Sequence, residues 1–97
     1  MLFTLEIDGR PVLVMADDDA ETARHTAHAA PMAEQLAALQ HAGRRLWDGR
    51  SPPAVRPATP AEAATWQDAF AEAVADGEAF EDESDSWAVF LIDVAPR

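Results

Sequence analysis

The chain has 97 residues, no cysteine and a formal net charge of −11 at pH 7. A chain of this length forms one domain, and the lack of cysteine excludes disulfides, thiolate metal sites and a cysteine nucleophile. The negative charge argues against nucleic acid and anionic membranes as partners, because both attract clustered basic residues.

No apolar run approaches the ~20 residues that a membrane span needs. The N-terminal residues lack the basic and long apolar regions of a signal peptide, so we expect a cytoplasmic protein. All seven basic residues are arginine, which together with the many alanines is typical of GC-rich, bacterial coding sequence.

The first 16 residues predict a β-hairpin. Residues 2–7 alternate between polar and apolar side chains, as in a strand that buries one face. Asp8-Gly9 supplies the residue types of a tight hairpin turn. A second strand over residues 11–16 then begins at Pro11, where a missing backbone N–H is tolerated.

Two helices are predicted next, over residues 18–30 and 32–42. In the first helix, an aspartate caps the start and small side chains form one stripe that allows close packing on the sheet. This stripe consists of Ala20, Ala23, Ala27 and Ala30. In the second helix, apolar residues recur at Met32, Leu36 and Leu39, and Gly43 is the expected C-terminal cap.

A short strand at residues 54–57 and a third helix at residues 60–76 follow. Thr59-Pro60-Ala61-Glu62 combines a capping threonine, a proline at the first helical position and a glutamate that completes a capping box. Gly77 is expected to end this helix.

The fold class rests on residues 87–94, in which seven of eight residues are apolar. A continuous apolar run of this length is typical of a strand covered on both faces, so we predict it as the central strand. The whole chain, 1–97, is therefore predicted to be one α+β domain. Its mainly antiparallel sheet would combine the N-terminal hairpin with this C-terminal strand in the middle, and two to three helices would pack on one face.

Negative charge is concentrated in the second half of the sequence. Residues 58–97 contain ten acidic residues and one arginine, a net charge of −9, whereas residues 1–57 carry a net charge of −2. The segment 76–85 holds six acidic residues, no basic residue and one large apolar side chain, Phe80. It is either a solvated loop or a surface that attracts a basic protein. The residues assigned to this partner-binding surface are Asp76, Glu78, Phe80, Glu81, Asp82, Glu83 and Asp85.

Arginine and tryptophan are concentrated between residues 44 and 56. These two residue types are favoured at binding hot spots, and guanidinium groups hold carboxylates or phosphates. The alternative is structural, with the arginines neutralising nearby acids and the tryptophan packed in the core. The candidate anion-binding residues are Arg44, Arg45, Trp47, Arg50 and Arg56.

Glu21, His25 and His28 lie on one predicted helix face at spacings that divalent metals use. The spacing is unspecific, and a solvated polar face is the simpler interpretation. Calcium loops of the EF-hand type require glycine and glutamate at fixed positions, and the counts from Asp17 and from Asp82 lack both. We therefore predict no metal site and no cofactor.

Catalysis has little support in the sequence. No serine lies in a glycine-flanked nucleophile elbow, and no glycine-rich loop is available to bind phosphate. The uneven charge makes a non-catalytic interaction module that binds a basic protein through its acidic C-terminal half the leading hypothesis. The alternative is a protein that binds a small anion through the Arg44–Arg56 loop or a metal through the Glu21/His25/His28 face.

Overall fold

A computed structural model describes all 97 residues, Met1–Arg97. The chain forms two antiparallel sheets and three α-helices, which confirms the predicted α+β class. The elements are β1 (Leu2–Ile7), β2 (Arg10–Ala16), α1 (Ala20–His28), α2 (Ala30–Ala37), β3 (Leu39–His41), β4 (Arg44–Arg45), β5 (Ala54–Pro57), α3 (Pro60–Ala75), a 3₁₀ helix (Glu81–Ser86), β6 (Ala88–Phe90) and β7 (Ala95–Pro96). None of the helices combines the length and the apolarity that a membrane span requires.

The N-terminal hairpin forms as predicted. Asp8 and Gly9 have φ values of 53° and 77°, the pair of left-handed residues that a tight turn between antiparallel strands favours. The register then shifts after Leu5, so that Val12 is the extra residue of a β-bulge. The backbone carbonyl of Val12 accepts a hydrogen bond from the N–H of Leu91 at 2.7 Å, which ties the C-terminal segment to the bulge.

The larger sheet has the strand order β5-β1-β2-β6, so the hairpin provides its two central strands. The position predicted for residues 87–94 is therefore corrected: they contribute only Ala88–Phe90, and this strand lies at the edge. The chain bends at Leu91, and none of the eight residues is fully buried. Strand Arg10–Ala16 instead contains the residues that are covered on both faces, since Val12–Met15 are each at most 4% exposed.

Helices cover both faces of this sheet. Alternate side chains of a strand point to opposite faces. Phe3 shares one apolar core with Ala23 of α1 and Leu36 of α2. Thr4 points to the other face, where its hydroxyl donates a hydrogen bond to Glu62 of α3 at 2.8 Å. The expected packing of the helices on one face is thus corrected: α1 and α2 lie on one side of the sheet and α3 on the other.

The apolar faces of the helices agree with their spacing in the sequence except at Ala30, which is exposed and begins α2, and at Leu39, which lies in β3. Ala23 and Ala27 are buried against the sheet, and Asp19 caps the start of α1 by accepting the N–H of Thr22 at 2.8 Å. This hydrogen bond lowers the pKa of Asp19, because it favours the ionised carboxylate. On α3, Trp66 and Ala73 are buried and form its inner face.

The second helix ends earlier than predicted. It stops at Ala37, and the residues after it form a small sheet with the order β4-β3-β7. Gly43 is therefore no helix cap. It forms, with Ala42, a turn in which both residues have positive φ values, 79° and 52°, and this turn joins β3 to β4.

One partly buried polar cluster joins the sheet to α3. The carboxylate of Glu62 accepts both terminal nitrogens of Arg56, at 2.7 and 2.9 Å, together with the hydroxyl of Thr4. It also accepts the backbone N–H of Thr59, whose hydroxyl accepts the N–H of Glu62, so the predicted capping box is confirmed. Arg56 donates a further hydrogen bond to Glu6 at 3.1 Å. We call these five residues the Glu62 cluster.

The cluster shifts the ionisation of its members. Hydrogen bonding to Arg56 lowers the pKa of Glu62 to about 2, and the bonds from Thr59 and Thr4 act in the same direction. The same pairing raises the pKa of Arg56 above its ordinary value. The ionised pair is thus favoured by folding, and α3 is held on the sheet by a charge-assisted, two-point contact.

The central position of the hairpin predicts that Leu5→Ala destabilises more than Leu91→Ala. Leu5 is fully buried, so its truncation should lower the free energy of unfolding by about 2–5 kcal/mol. Leu91 is half-buried beside the edge strand, so the same change should cost less. Urea denaturation followed by tryptophan fluorescence measures both. A larger loss of unfolding free energy in Leu91→Ala than in Leu5→Ala would instead support a central C-terminal strand.

Glu62→Gln should destabilise the protein in a pH-dependent way. Glutamine keeps the capping box but loses the charge, so at pH 7 we expect a loss of about 1–2 kcal/mol. The folded-state pKa lies below the unfolded one, so this contribution exists above pH ~4.5 and disappears as the pH falls towards 2. Urea denaturation of the wild type and the variant between pH 7 and pH 2 measures this pH-dependent difference in the free energy of unfolding. Glu72→Gln, an exposed position on the same helix, is the control and should show no such dependence.

Candidate functional site

The seven residues of the predicted partner-binding surface lie together on the connection from α3 to β6. We call these seven residues the acidic surface. All of its residues are exposed except Glu83, which is half-buried. These residues are near neighbours in the sequence, and the structure leaves six of the seven exposed.

The first end of the acidic surface is fixed by the end of α3. Gly77, with φ 76°, donates its N–H to the carbonyl of Val74, and Glu78 donates to the carbonyl of Ala73 at 2.8 Å. These two bonds define a Schellman motif, which confirms Gly77 as the helix end. Ala79 is then buried, so the chain returns to the protein before it turns outward again.

The other end is fixed by aromatic side chains. The indole N–H of Trp66 donates to the backbone carbonyl of Trp87 at 2.9 Å, and the rings of Phe70 and Trp87 pack edge to face at 5.7 Å. The indole N–H of Trp87 itself is buried without a hydrogen-bond partner. Between Ala79 and Trp87 the acidic residues form the 3₁₀ helix Glu81–Ser86, so the run has a defined conformation.

The charges of the acidic surface are not compensated within the protein. Both ion pairs of the structure belong to the Glu62 cluster, and neither involves the acidic surface. Asp76 and Glu78 also lie at the C-terminal end of α3, where the helix dipole is negative and where the last turn contains no basic residue. Repulsion among these carboxylates therefore opposes folding, and a bound cationic group would relieve it.

Phe80 is the exposed apolar residue of the acidic surface. Its side chain is 71% exposed, and apart from Met1 no other large hydrophobic residue is as exposed. An exposed aromatic ring bordered by carboxylates has the composition of a contact point for a partner that is both basic and apolar.

A cleft of about 410 Å³ lies next to the acidic surface. Its walls come from the end of β2, from α1 and α2, and from the 3₁₀ helix and the start of β6. Asp85 belongs to both the cleft and the acidic surface. No sequence motif marks this cleft, because its residues are far apart in the chain.

The candidate anion-binding residues are distributed over different parts of the fold. Arg56 is in the larger sheet, where Glu6 and Glu62 already hold its guanidinium group. Arg44 and Arg45 are neighbours on strand Arg44–Arg45, so their side chains point to opposite sides. Only the following loop retains part of the predicted cluster, at Trp47 and Arg50.

That loop is organised by its own hydrogen bonds. The carboxylate of Asp48 accepts the backbone N–H groups of Ser51 and Arg50, which lowers the pKa of Asp48. The indole N–H of Trp47 donates to the carbonyl of Ser51 at 2.6 Å, and its ring packs against the core. These contacts agree with the structural interpretation of Trp47.

The histidines of the predicted helix face are exposed, and one makes a structural contact. Nε2 of His28 lies 2.8 Å from the backbone carbonyl of Pro53, which connects α1 to the segment before β5. No group of three or more histidine, aspartate or glutamate side chains has the geometry to hold a metal ion. The Glu21/His25/His28 set is therefore not assembled as a metal centre.

The uncompensated charge predicts that Glu78→Gln stabilises the protein. Removing a carboxylate at the negative end of α3 should raise Tm by about 1–4 °C at low salt, and less at high salt, where charges are screened. Thermal unfolding monitored by circular dichroism measures the shift. The matched control is Glu21→Gln in the first turn of α1, where a negative charge is favourable and its loss should not raise Tm. Equal Tm shifts in the two variants would show that stability depends on the net charge of the protein and not on the position of the carboxylate.

Comparison with known proteins adds no relative. No protein-family model, curated protein or solved structure matches the chain.

Proposed function

We propose that this protein is a non-catalytic interaction module of the bacterial cytoplasm, which binds a basic protein partner through the acidic surface. The observation that carries the proposal is the combination of an exposed Phe80 with unpaired carboxylates on a segment fixed at both ends. The partner is a protein rather than nucleic acid, since phosphate groups would be repelled by the same charges.

The fixed conformation of the acidic surface supports binding. The Schellman motif at Gly77 and the packing of Trp87 hold the segment at its two ends, so little conformational entropy is lost when a partner binds. A negative patch also steers a positively charged partner and raises the association rate at low salt. The module would thus associate quickly and select its partner by charge.

The alternative function, binding of a small anion or a metal, has less support. Arg56 is already held by two carboxylates, and its candidate neighbours lie on opposite sides of a strand or in a separate loop. The Glu21/His25/His28 face contains no assembled ligand set. No specific observation favours this alternative.

A triple variant tests the proposal. Glu81→Gln, Asp82→Asn and Glu83→Gln together remove three charges from the acidic surface while preserving side-chain size. Used as bait in a bacterial lysate, the wild-type protein should capture a basic protein at 50 mM NaCl and release it at 500 mM. With the partner purified, the triple variant should lower the association rate at least tenfold, because steering depends on the local field.

The matched control removes the same net charge elsewhere. Asp18→Asn, Glu21→Gln and Glu34→Gln are exposed positions in the first half of the chain. This control should bind like the wild type. Capture that is insensitive to salt, or an equal loss in both triple variants, would contradict binding through the acidic surface.

A further inference from the structure

We propose that the cleft beside the acidic surface is the binding site for an arginine side chain of the partner. This inference rests on the proposed function, and it specifies the partner group that enters the protein. The volume of about 410 Å³ lies within the range of about 300–1,000 Å³ that is typical of ligand sites.

The position of the cleft connects it to the proposed interface. Asp85, Ser86 and Trp87 form one of its sides, and Asp85 is also part of the acidic surface. A partner that lies over the 3₁₀ helix therefore has the mouth of the cleft directly beside its contact. One side chain can enter the cleft without any rearrangement of the main contact.

The walls of the cleft have the composition that a long cationic side chain needs. Half of the ten lining residues are hydrophobic, and they include Met15 and Met32. Methionine side chains are flexible and polarisable, so they adapt to the shape of an entering group. The methylene stem of an arginine would pack against them while its charged head stays near polar groups.

Both charged side chains of the lining are acidic, and the one positive group recorded next to them is the N-terminal ammonium of Met1, which donates to the backbone carbonyl of Asp17 at 3.0 Å. Asp17 and Asp85 come from separate segments of the chain, and no arginine or histidine lines the cleft. The carboxylate of Asp17 is held in place, because one oxygen accepts the N–H of Asp18 at 3.0 Å and the other the hydroxyl of Thr26 at 3.1 Å. Each oxygen has two lone pairs and thus keeps one acceptor site for a guanidinium group.

Arginine fits this site better than the other cations. A metal ion would need a group of three ligating side chains, which the structure does not contain. A lysine ammonium is a compact and strongly hydrated charge, whereas a guanidinium is planar, more weakly hydrated and able to bond two acceptors at once. A wide cleft with two carboxylates and soft apolar walls therefore favours arginine.

The test is a titration of the full-length, ¹⁵N-labelled protein at low salt, observed in amide NMR spectra. The probes are the N-acetyl methylamides of arginine, of lysine and of citrulline, the neutral analogue with nearly the same shape. The arginine compound should give saturable shifts at residues that line the cleft, such as Ala16, Thr26 and Gln35. It should bind at least tenfold more tightly than the citrulline compound and more tightly than the lysine compound.

Variants locate the binding site. Asp85→Asn, at an exposed position, should weaken binding of the arginine compound about three- to tenfold, and Asp17→Asn should have a similar effect. Asp82→Asn is the control, because it removes an equal charge from the acidic surface but does not line the cleft. The dispersion of the amide spectrum shows directly that each variant is folded.

The proposal is overturned if the shifts lie outside the cleft, if citrulline or lysine binds as well as arginine, or if Asp82→Asn weakens binding as much as Asp85→Asn. These outcomes are separate from the test of the proposed function. If a partner is captured in a salt-sensitive way but the arginine compound does not bind in the cleft, only this inference is refuted. Arginine binding in the cleft without a salt-sensitive partner would refute the protein-binding function and leave a cation site.

Discussion

The fold depends on the burial of one hairpin from both sides. Strands β1 and β2 form the centre of the larger sheet, and the side chains of Val12–Met15 are almost completely covered. Helices α1 and α2 cover one face, and α3 covers the other. A small core, rich in alanine, thereby gains two apolar layers from a single pair of strands.

The two faces are held by different forces. On the face covered by α1 and α2, close packing of small residues such as Ala23 brings helix and sheet together. On the face of α3, the Glu62 cluster adds a charge-assisted contact between strand and helix. Because the pairing carboxylate and arginine satisfy one another inside the protein, they are not available for a ligand. The connection after α3 instead carries six acidic residues in ten positions, none of them in an ion pair. This concentration of unpaired charge defines the candidate site.

The sequence predicted those parts of the fold in which local rules and tertiary packing agree. The Asp8-Gly9 turn, the capping box at Thr59 and the glycine end of α3 at Gly77 each depend on a few adjacent residues, and each is confirmed. The acidic surface was also predictable, since it is continuous in the chain.

The order of the strands and the side of the sheet on which each helix packs could not be predicted in the same way. A continuous apolar run does mark the central strand of this sheet, but that run is Val12–Met15 and not residues 87–94. In the C-terminal run, Phe90, Ile92 and Val94 are partly buried and pack against the margin of the core. These residues are apolar because they cover the core from its edge, and not because their strand is central in the sheet. Gly43 was misassigned because a glycine with positive φ ends a helix and turns a hairpin equally well. The cleft depends on segments that only the tertiary structure brings together.

The two outer strands of the larger sheet carry unpaired backbone groups, through which copies of the protein could join strand to strand. At one margin, β5 ends at Pro57, and proline donates no hydrogen bond to a neighbour. At the other, β6 has only three residues and follows directly after the 3₁₀ helix with its crowded carboxylates. Repulsion between like-charged copies thus protects a margin that lacks proline, and this protection, unlike proline's, weakens when salt screens the charges. The charge that we assign to partner selection therefore also opposes the joining of copies at this margin.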